Sequence, residues 1–125
     1  MPTEDPEMTD LLLPGSAKEQ NRYQGAVRVG PLDLVALRYA VRSCGGPSAF
    51  SGLAVTWFDQ IAANGTWAVC DRYEHGAPVI SKMPVDAAAS KDELYDVCAA
   101  AMQASLGIPV RMVSFGPTET DKLCR

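Results

Sequence analysis

Gly25-Ala26-Val27-Arg28-Val29-Gly30-Pro31-Leu32-Asp33-Leu34-Val35-Ala36-Leu37-Arg38-Tyr39-Ala40-Val41-Arg42 is the stretch on which the reading of the fold turns. Gly30-Pro31 signals entry into a helix, because proline at the first helical position loses no needed hydrogen bond and has its φ preset. Asp33 then falls in the first turn, where a carboxylate favours the positive helix end. Leu34, Leu37 and Val41, flanked by Val35 and Ala40, recur at helical spacing and mark a buried face. Gly45-Gly46-Pro47 stops the helix, so residues 31–43 are predicted helical. The glycine-bearing loop before it sets Arg28 beside the expected N-terminus, a place where anions are readily bound.

Outward from this helix the chain alternates strand and helix signals. The continuous apolar run 52–58 suits a strand covered on both faces, with Asp59 at its carboxyl end. Asn64-Gly65 signals a turn, residues 66–70 read as a further strand, and 77–81 as a weaker edge strand because of Pro78. Ser90-Lys91-Asp92-Glu93 is a capping box opening a helix that is expected to bury Leu94, Val97, Cys98, Ala101, Met102 and Leu106. Gly107 and Pro109 end it, and residues 110–115 form the last predicted strand. This order implies an α/β chain whose final strand is reached by a helical crossover. On the amino-terminal side, residues 1–24 hold Pro2, Pro6 and Pro14 with only Leu11-Leu12-Leu13 as an anchor, and read as an extended arm ahead of an α/β unit over 25–125.

Length and composition bound the function. At 125 residues and a net charge of −4 the chain has the size of one domain, and its acidity argues against a nucleic-acid surface. No apolar run reaches the roughly 20 residues that span a bilayer, and the acidic start is unlike a secretory signal, so no membrane and a cytoplasmic setting are expected. Cys44, Cys70, Cys98 and Cys124 are scattered without a C-x-x-C pair, which fits reduced, mostly buried thiols better than a disulfide or zinc framework. With a single histidine, His75, a His-rich metal site is excluded, and His75 itself reads as a surface loop residue.

The residues that bear chemistry lie at strand ends. Open α/β sheets bind ligands past the carboxyl ends of their strands, and both Asp59 and the Ser114-Phe115-Gly116 turn fall there. A carboxylate can accept two hydrogen bonds from a guanine ring, from N1–H and from the exocyclic amine, a charge-assisted and selective pair. A Ser-x-Gly turn can add a backbone N–H to the guanine carbonyl, the glycine permitting close approach. A structural aspartate at a strand end is the plain alternative.

Several segments resemble adenylosuccinate synthetase. Residues 29–38 look like the R-x-G-W-x-D-x-V-A-x-R segment of that family. Val55-Thr56-Trp57-Phe58-Asp59 is similar to its L-T-K-L-D segment, and Val113-Ser114-Phe115-Gly116-Pro117 to its S-x-G-P segment. Cys70-Asp71-Arg72-Tyr73 falls at its C-x-x-Y strand, and Met1-Pro2-Thr3-Glu4 resembles the latter part of G-P-x-P-T-E. Together, in order, these span nearly the whole chain, and imply an incomplete sheet with packed helices: the C-terminal part of a P-loop NTPase-like synthetase fold, beginning inside a larger protein.

The resemblance implies a ligase that joins IMP and aspartate using GTP and Mg2+, homodimeric in its full-length form. Arg28, Trp57, Phe58, Asp59, Ser114, Phe115 and Gly116 are then expected at the nucleotide, and Arg22, Tyr23, Gln24, Gly25, Ala26, Val27 and Arg28 in the substrate loop. The G-D-E-G-K-G-K phosphate loop and the catalytic histidine of the family do not occur in this sequence, nor do Mg2+ ligands, so the chain by itself is not expected to catalyse. The loop also departs from the family's T-T-G-R-x-R: Ala26 stands where an arginine is expected, which a methyl group cannot replace, with Arg22 near enough to compensate. Trp57 replaces a lysine and offers an indole for stacking in its place, or for simple core packing. An altered loop also suits a phage-type relative acting on dGMP and aspartate with ATP. A non-catalytic nucleotide-binding module and a remnant without function are the remaining alternatives.

Overall fold

In the computed structural model, residues 3–13, 23, 25–86 and 88–125 are described. Among the described residues four α-helices, α1 (Pro6–Leu12), α2 (Leu34–Ser43), α3 (Phe58–Asn64) and α4 (Lys91–Leu106), pack with two three-stranded sheets. The first sheet runs β1 (Leu32–Asp33), β3 (Thr66–Glu74), β4 (Ala77–Pro84), with β1 parallel and β4 antiparallel to β3. The second runs β2 (Leu53–Val55), β5 (Val110–Ser114), β6 (Lys122–Cys124), with β2 parallel and β6 antiparallel to β5. The architecture is the mixed α/β arrangement with incomplete sheets that the sequence implies. No helix among the described residues is long and apolar enough to cross a membrane.

The central helix starts later than predicted. Pro31 is buried ahead of it, Leu32-Asp33 form the short β1, and Asp33 is the N-cap, its carboxylate accepting from Ala36 N at 2.9 Å. A short polar side chain that caps is a stronger start signal than the proline two residues before it. Leu34 and Val41 are buried as expected, Leu37 partly so, while Ala40 faces out. Arg38 ties the helix down: its Nη1 donates to Ser105 Oγ of α4 at 2.8 Å, and its Nη2 donates to the Asp71 carbonyl of β3.

Residues 1–24 are not wholly extended. Asp5 caps α1 by accepting from Met8 N, with Pro6 at the first helical position, and α1 packs against α3. The apolar run expected as one strand over 52–58 is divided: β2 stops at Val55, Trp57 turns left-handed at φ 69°, and Phe58 opens α3. Periodicity cannot separate a short buried strand from a buried first helical turn. Asn64-Gly65 accordingly ends a helix, Gly65 taking the left-handed C-cap at φ 63°. The hairpin turn lies instead at His75-Gly76, which leaves His75 exposed, and β3 and β4 are longer than predicted with β4 at the sheet edge.

The capping box at Ser90 and Glu93 is present, and Gly107 closes α4. Its buried face is Leu94, Tyr95, Cys98, Ala99, Met102 and Leu106, so Val97 and Ala101 point outward, contrary to expectation. Side chains of α4 fasten the start of β5: Tyr95 Oη donates to the Val110 carbonyl at 2.7 Å, and Gln103 Oε1 accepts from Val110 N at 2.8 Å. At the other end Arg125 lies over the Tyr95 ring and pairs with Asp92 and Asp96, holding β6 onto the same helix. The core joins α3, β3, α4 and β5 through Phe58, Trp67, Tyr95, Cys98, Met102 and Val113. All four thiols are free; Cys70 and Cys98 are buried but Cys44 and Cys124 are exposed, and burial pushes the Cys98 thiol up to about 11.

Candidate functional site

A cleft of about 500 Å³ is lined by Leu12, Leu13, Thr56, Trp57, Asp59, Gln60, Ser114, Gly116, Pro117 and Lys122. It brings together Asp59 and the Ser114–Gly116 turn, picked out separately from the sequence. The route differs from the one expected for Asp59, which sits in the first turn of α3 rather than at the end of a strand. Gln60 Nε2 donates to Asp59 Oδ2 at 2.6 Å. A carboxylate has about four acceptor positions on its two oxygens, so both oxygens retain capacity for a ligand.

Phe58 and Phe115 each lie between cleft-lining residues in the chain, and neither lines the cleft itself. Phe58 is fully buried, its ring 5.5 Å from that of Phe115 in an edge-to-face pair and 6.4 Å from that of Trp67. The Phe58 side chain therefore belongs to the core and is not presented to a nucleotide, and the Phe115 ring packs on it with Lys91 Nζ 5.3 Å from its centroid. These two rings fix α3 against the end of β5, and so set the relative position of Asp59 and Ser114. Trp57 is 42 % exposed at the mouth. Its left-handed backbone is costly for a bulky residue and persists only where the surroundings over-determine it, a condition that clusters at ligand sites.

The turn after β5 is built around Asp121. Its carboxylate accepts from Thr118 N at 3.0 Å and Thr118 Oγ1 at 2.6 Å, and these bonds hold it below the usual carboxylate range. Gly116 is required there by space: a Cβ would stand 2.6 Å from Asp121 Oδ2. The Phe115 N–H donates to the Asp121 carbonyl at 2.9 Å. Lys122 then turns back into the cleft, its Nζ donating to Ser114 Oγ at 2.7 Å and to the Gly116 carbonyl at 2.5 Å. Ser114, only 4 % exposed, donates to the same carbonyl at 2.9 Å. Lys122 was not singled out from the sequence. The Thr118-Glu119-Thr120-Asp121 capping pattern that reverses the chain was the available signal.

The expected substrate loop lies apart. Arg22 and Gln24 are outside the described residues; Tyr23, Gly25, Ala26, Val27 and Arg28 are exposed and none lines the cleft. Arg28 pairs with Glu4 at 3.3 Å, and Val29 and Gly30 are pinned to the α1 segment. Val29 O accepts from Asp5 N at 2.9 Å, Val29 N donates to Thr9 Oγ1 at 3.0 Å, and a Cβ on Gly30 would meet the Thr3 carbonyl at 1.8 Å. The anion site expected at the helix start is also altered, because the Asp33 carboxylate itself caps α2 and accepts from Tyr73 Oη at 2.5 Å. That bond pushes the Tyr73 hydroxyl up to about 12. Partial burial works to raise Asp33, but the Tyr73 bond and the α2 amides outweigh it and hold the carboxyl low. No group of three or more His, Cys, Asp or Glu that could hold a metal ion occurs among the described residues.

No family model and no curated protein matches the sequence. Among solved structures the chain is similar to a fully ligated adenylosuccinate synthetase from Plasmodium falciparum, with a TM-score of 0.77 at 15 % identity. The match covers 100 % of this chain and 36 % of that one. At that identity the likeness establishes the fold: this chain has the mixed α/β fold of a part of adenylosuccinate synthetase, spanning little more than a third of its length.

Proposed function

We propose that this chain carries the base-recognition part of an adenylosuccinate synthetase-like ligase, and that its cleft binds the guanine base of a nucleotide. The observation that carries the reading is the convergence of Asp59, Ser114 and Gly116 on one cleft. Its volume is within the roughly 300–1,000 Å³ of small-molecule sites. In this reading the Asp59 carboxylate accepts from N1–H and the 2-amino group of the base. The Trp57 indole supplies a stacking face at the mouth.

The whole reaction, joining IMP and aspartate with GTP, is proposed for the larger enzyme type and not for this chain alone. Phosphoryl transfer depends on cations and backbone donors placed around the phosphates, and the G-D-E-G-K-G-K loop is absent from this sequence. The amino-acid half of the site is supported less: Ala26 removes one cation, and Arg28 is paired with Glu4.

Titration calorimetry of the chain with GDP and ADP tests the reading. GDP is expected to bind more tightly than ADP by roughly tenfold, since a bidentate charge-assisted pair is made with guanine only. Asp59→Asn sharply reduces that preference. Equal affinity for the two nucleotides, or no heat with either, overturns it.

A further inference from the structure

We propose that Lys122 determines specificity in the cleft by donating to the 6-oxo group of the bound base, so that Asp59 and Lys122 together read one edge of the purine. This rests on the guanine reading above. The guanine carbonyl was expected to find its donor in the backbone of the Ser-x-Gly turn. The Phe115 amide of that turn is already committed to the Asp121 carbonyl at 2.9 Å. Lys122 supplies what that amide does not.

An ammonium has three N–H bonds. Two reach Ser114 Oγ and the Gly116 carbonyl, at 2.7 and 2.5 Å, and both acceptors line the same cleft. Those bonds fix the nitrogen in place, leaving the third N–H for a ligand acceptor. The stem of a partly buried lysine held by two acceptors loses the flexibility that usually makes lysine a poor recognition group.

The chemistry selects the partner. The guanine edge offers one acceptor, O6, beside two donors, N1–H and the 2-amino group. A carboxylate beside an ammonium satisfies all three. Adenine seated the same way turns its 6-amino donor toward Lys122 and its N1 acceptor toward Asp59 and has no 2-amino group, so none of the three bonds is made. Hypoxanthine keeps the bond to Lys122 and forfeits one to Asp59.

The test compares GDP with its 6-thio analogue, in which sulfur keeps N1–H and the 2-amino group but accepts hydrogen bonds weakly. The wild-type chain is expected to bind 6-thio-GDP roughly tenfold more weakly than GDP. Lys122→Met is expected to bind both equally, at the weaker level, while Asp59→Asn keeps the sulfur penalty. A merely structural role for Lys122 would weaken both ligands and leave their ratio unchanged, which overturns the proposal. If Lys122→Met does not fold, the side-chain nitrogen of Lys122 in 15N-lysine-labelled wild-type chain supplies the answer. Its resonance moves with GDP and far less with 6-thio-GDP, and a signal indifferent to both contradicts the assignment. Should wild type not prefer GDP to ADP, the guanine reading itself fails. A GDP preference that Asp59→Asn sharply reduces, alongside an unchanged sulfur penalty in Lys122→Met, removes only the role of Lys122.

Discussion

The cleft and the loop ahead of α2 were both marked by the sequence as places where a ligand is held, and they have been built in opposite ways. At the cleft, Asp59 of α3, Ser114 of β5 and Lys122 of β6 face a common space, and the packed rings of Phe58 and Phe115 join α3 to the end of β5. At the loop, residues 25–28 are exposed, Arg28 is neutralised by Glu4, and the backbone is tethered to α1. The difference teaches that a motif becomes a site only where packing under it fixes the relative position of its parts. A cation in an exposed surface pair contributes little and is screened by salt.

Removing the Phe58 ring has the largest expected consequence. Phe58→Ala removes a fully buried ring from between Trp67 and Phe115, and a loss of about 3–5 kcal/mol in urea denaturation is expected. Nucleotide binding at the cleft should disappear with it. Gly30→Ala acts on the other region: its Cβ would overlap the Thr3 carbonyl, which forces the segment before α1 away at a cost of about 1–3 kcal/mol. Faster amide exchange confined to residues 3–13 and 29–31 is the expected signature. Unchanged exchange there would mean that the tether is not what holds the loop.

Smaller effects separate the capping of α2 from any ligand role of the loop. Asp33→Ala should cost about 1 kcal/mol, the usual worth of an N-cap. The Asp33 carboxyl is held below its ordinary 3.8, so its contribution is present above that value and is lost as pH falls through its folded value. Asp33→Asn keeps a capping side chain and should therefore flatten the stability curve below about pH 4 in acid titration followed by circular dichroism. Smallest of all, Arg28→Ala should alter stability by less than about 0.5 kcal/mol and leave GDP affinity unchanged. A large drop in GDP affinity in that variant would erase the contrast between the two regions.

What the sequence disclosed follows the range of the interactions involved. Caps are local, so the Ser90–Glu93 box, the Gly107 stop and the Asp33 carboxylate near a helix start were legible. Asp59 was picked for the right neighbourhood on the wrong element, because an apolar run of a few residues fits a strand and a helix turn alike. Val97 was misassigned for a related reason: positions 94, 97, 98 and 101 and positions 94, 95, 98 and 102 both satisfy helical spacing. Only the Tyr95 bond to Val110 and the Arg125 stack choose between them. Lys122 was missed because β6 is three residues long, too short to show alternation, and its direction is set by the Thr118–Asp121 turn.

The central claim, that the base-binding function resides in the cleft and not in the loop, is tested most directly by following backbone amide resonances of the 15N-labelled chain during addition of GDP. The account predicts that amides of residues 56–60 and 114–122 shift and saturate together, while those of residues 25–28 stay in place. Shifts centred on residues 25–28, or no saturable shift at the cleft, would contradict it.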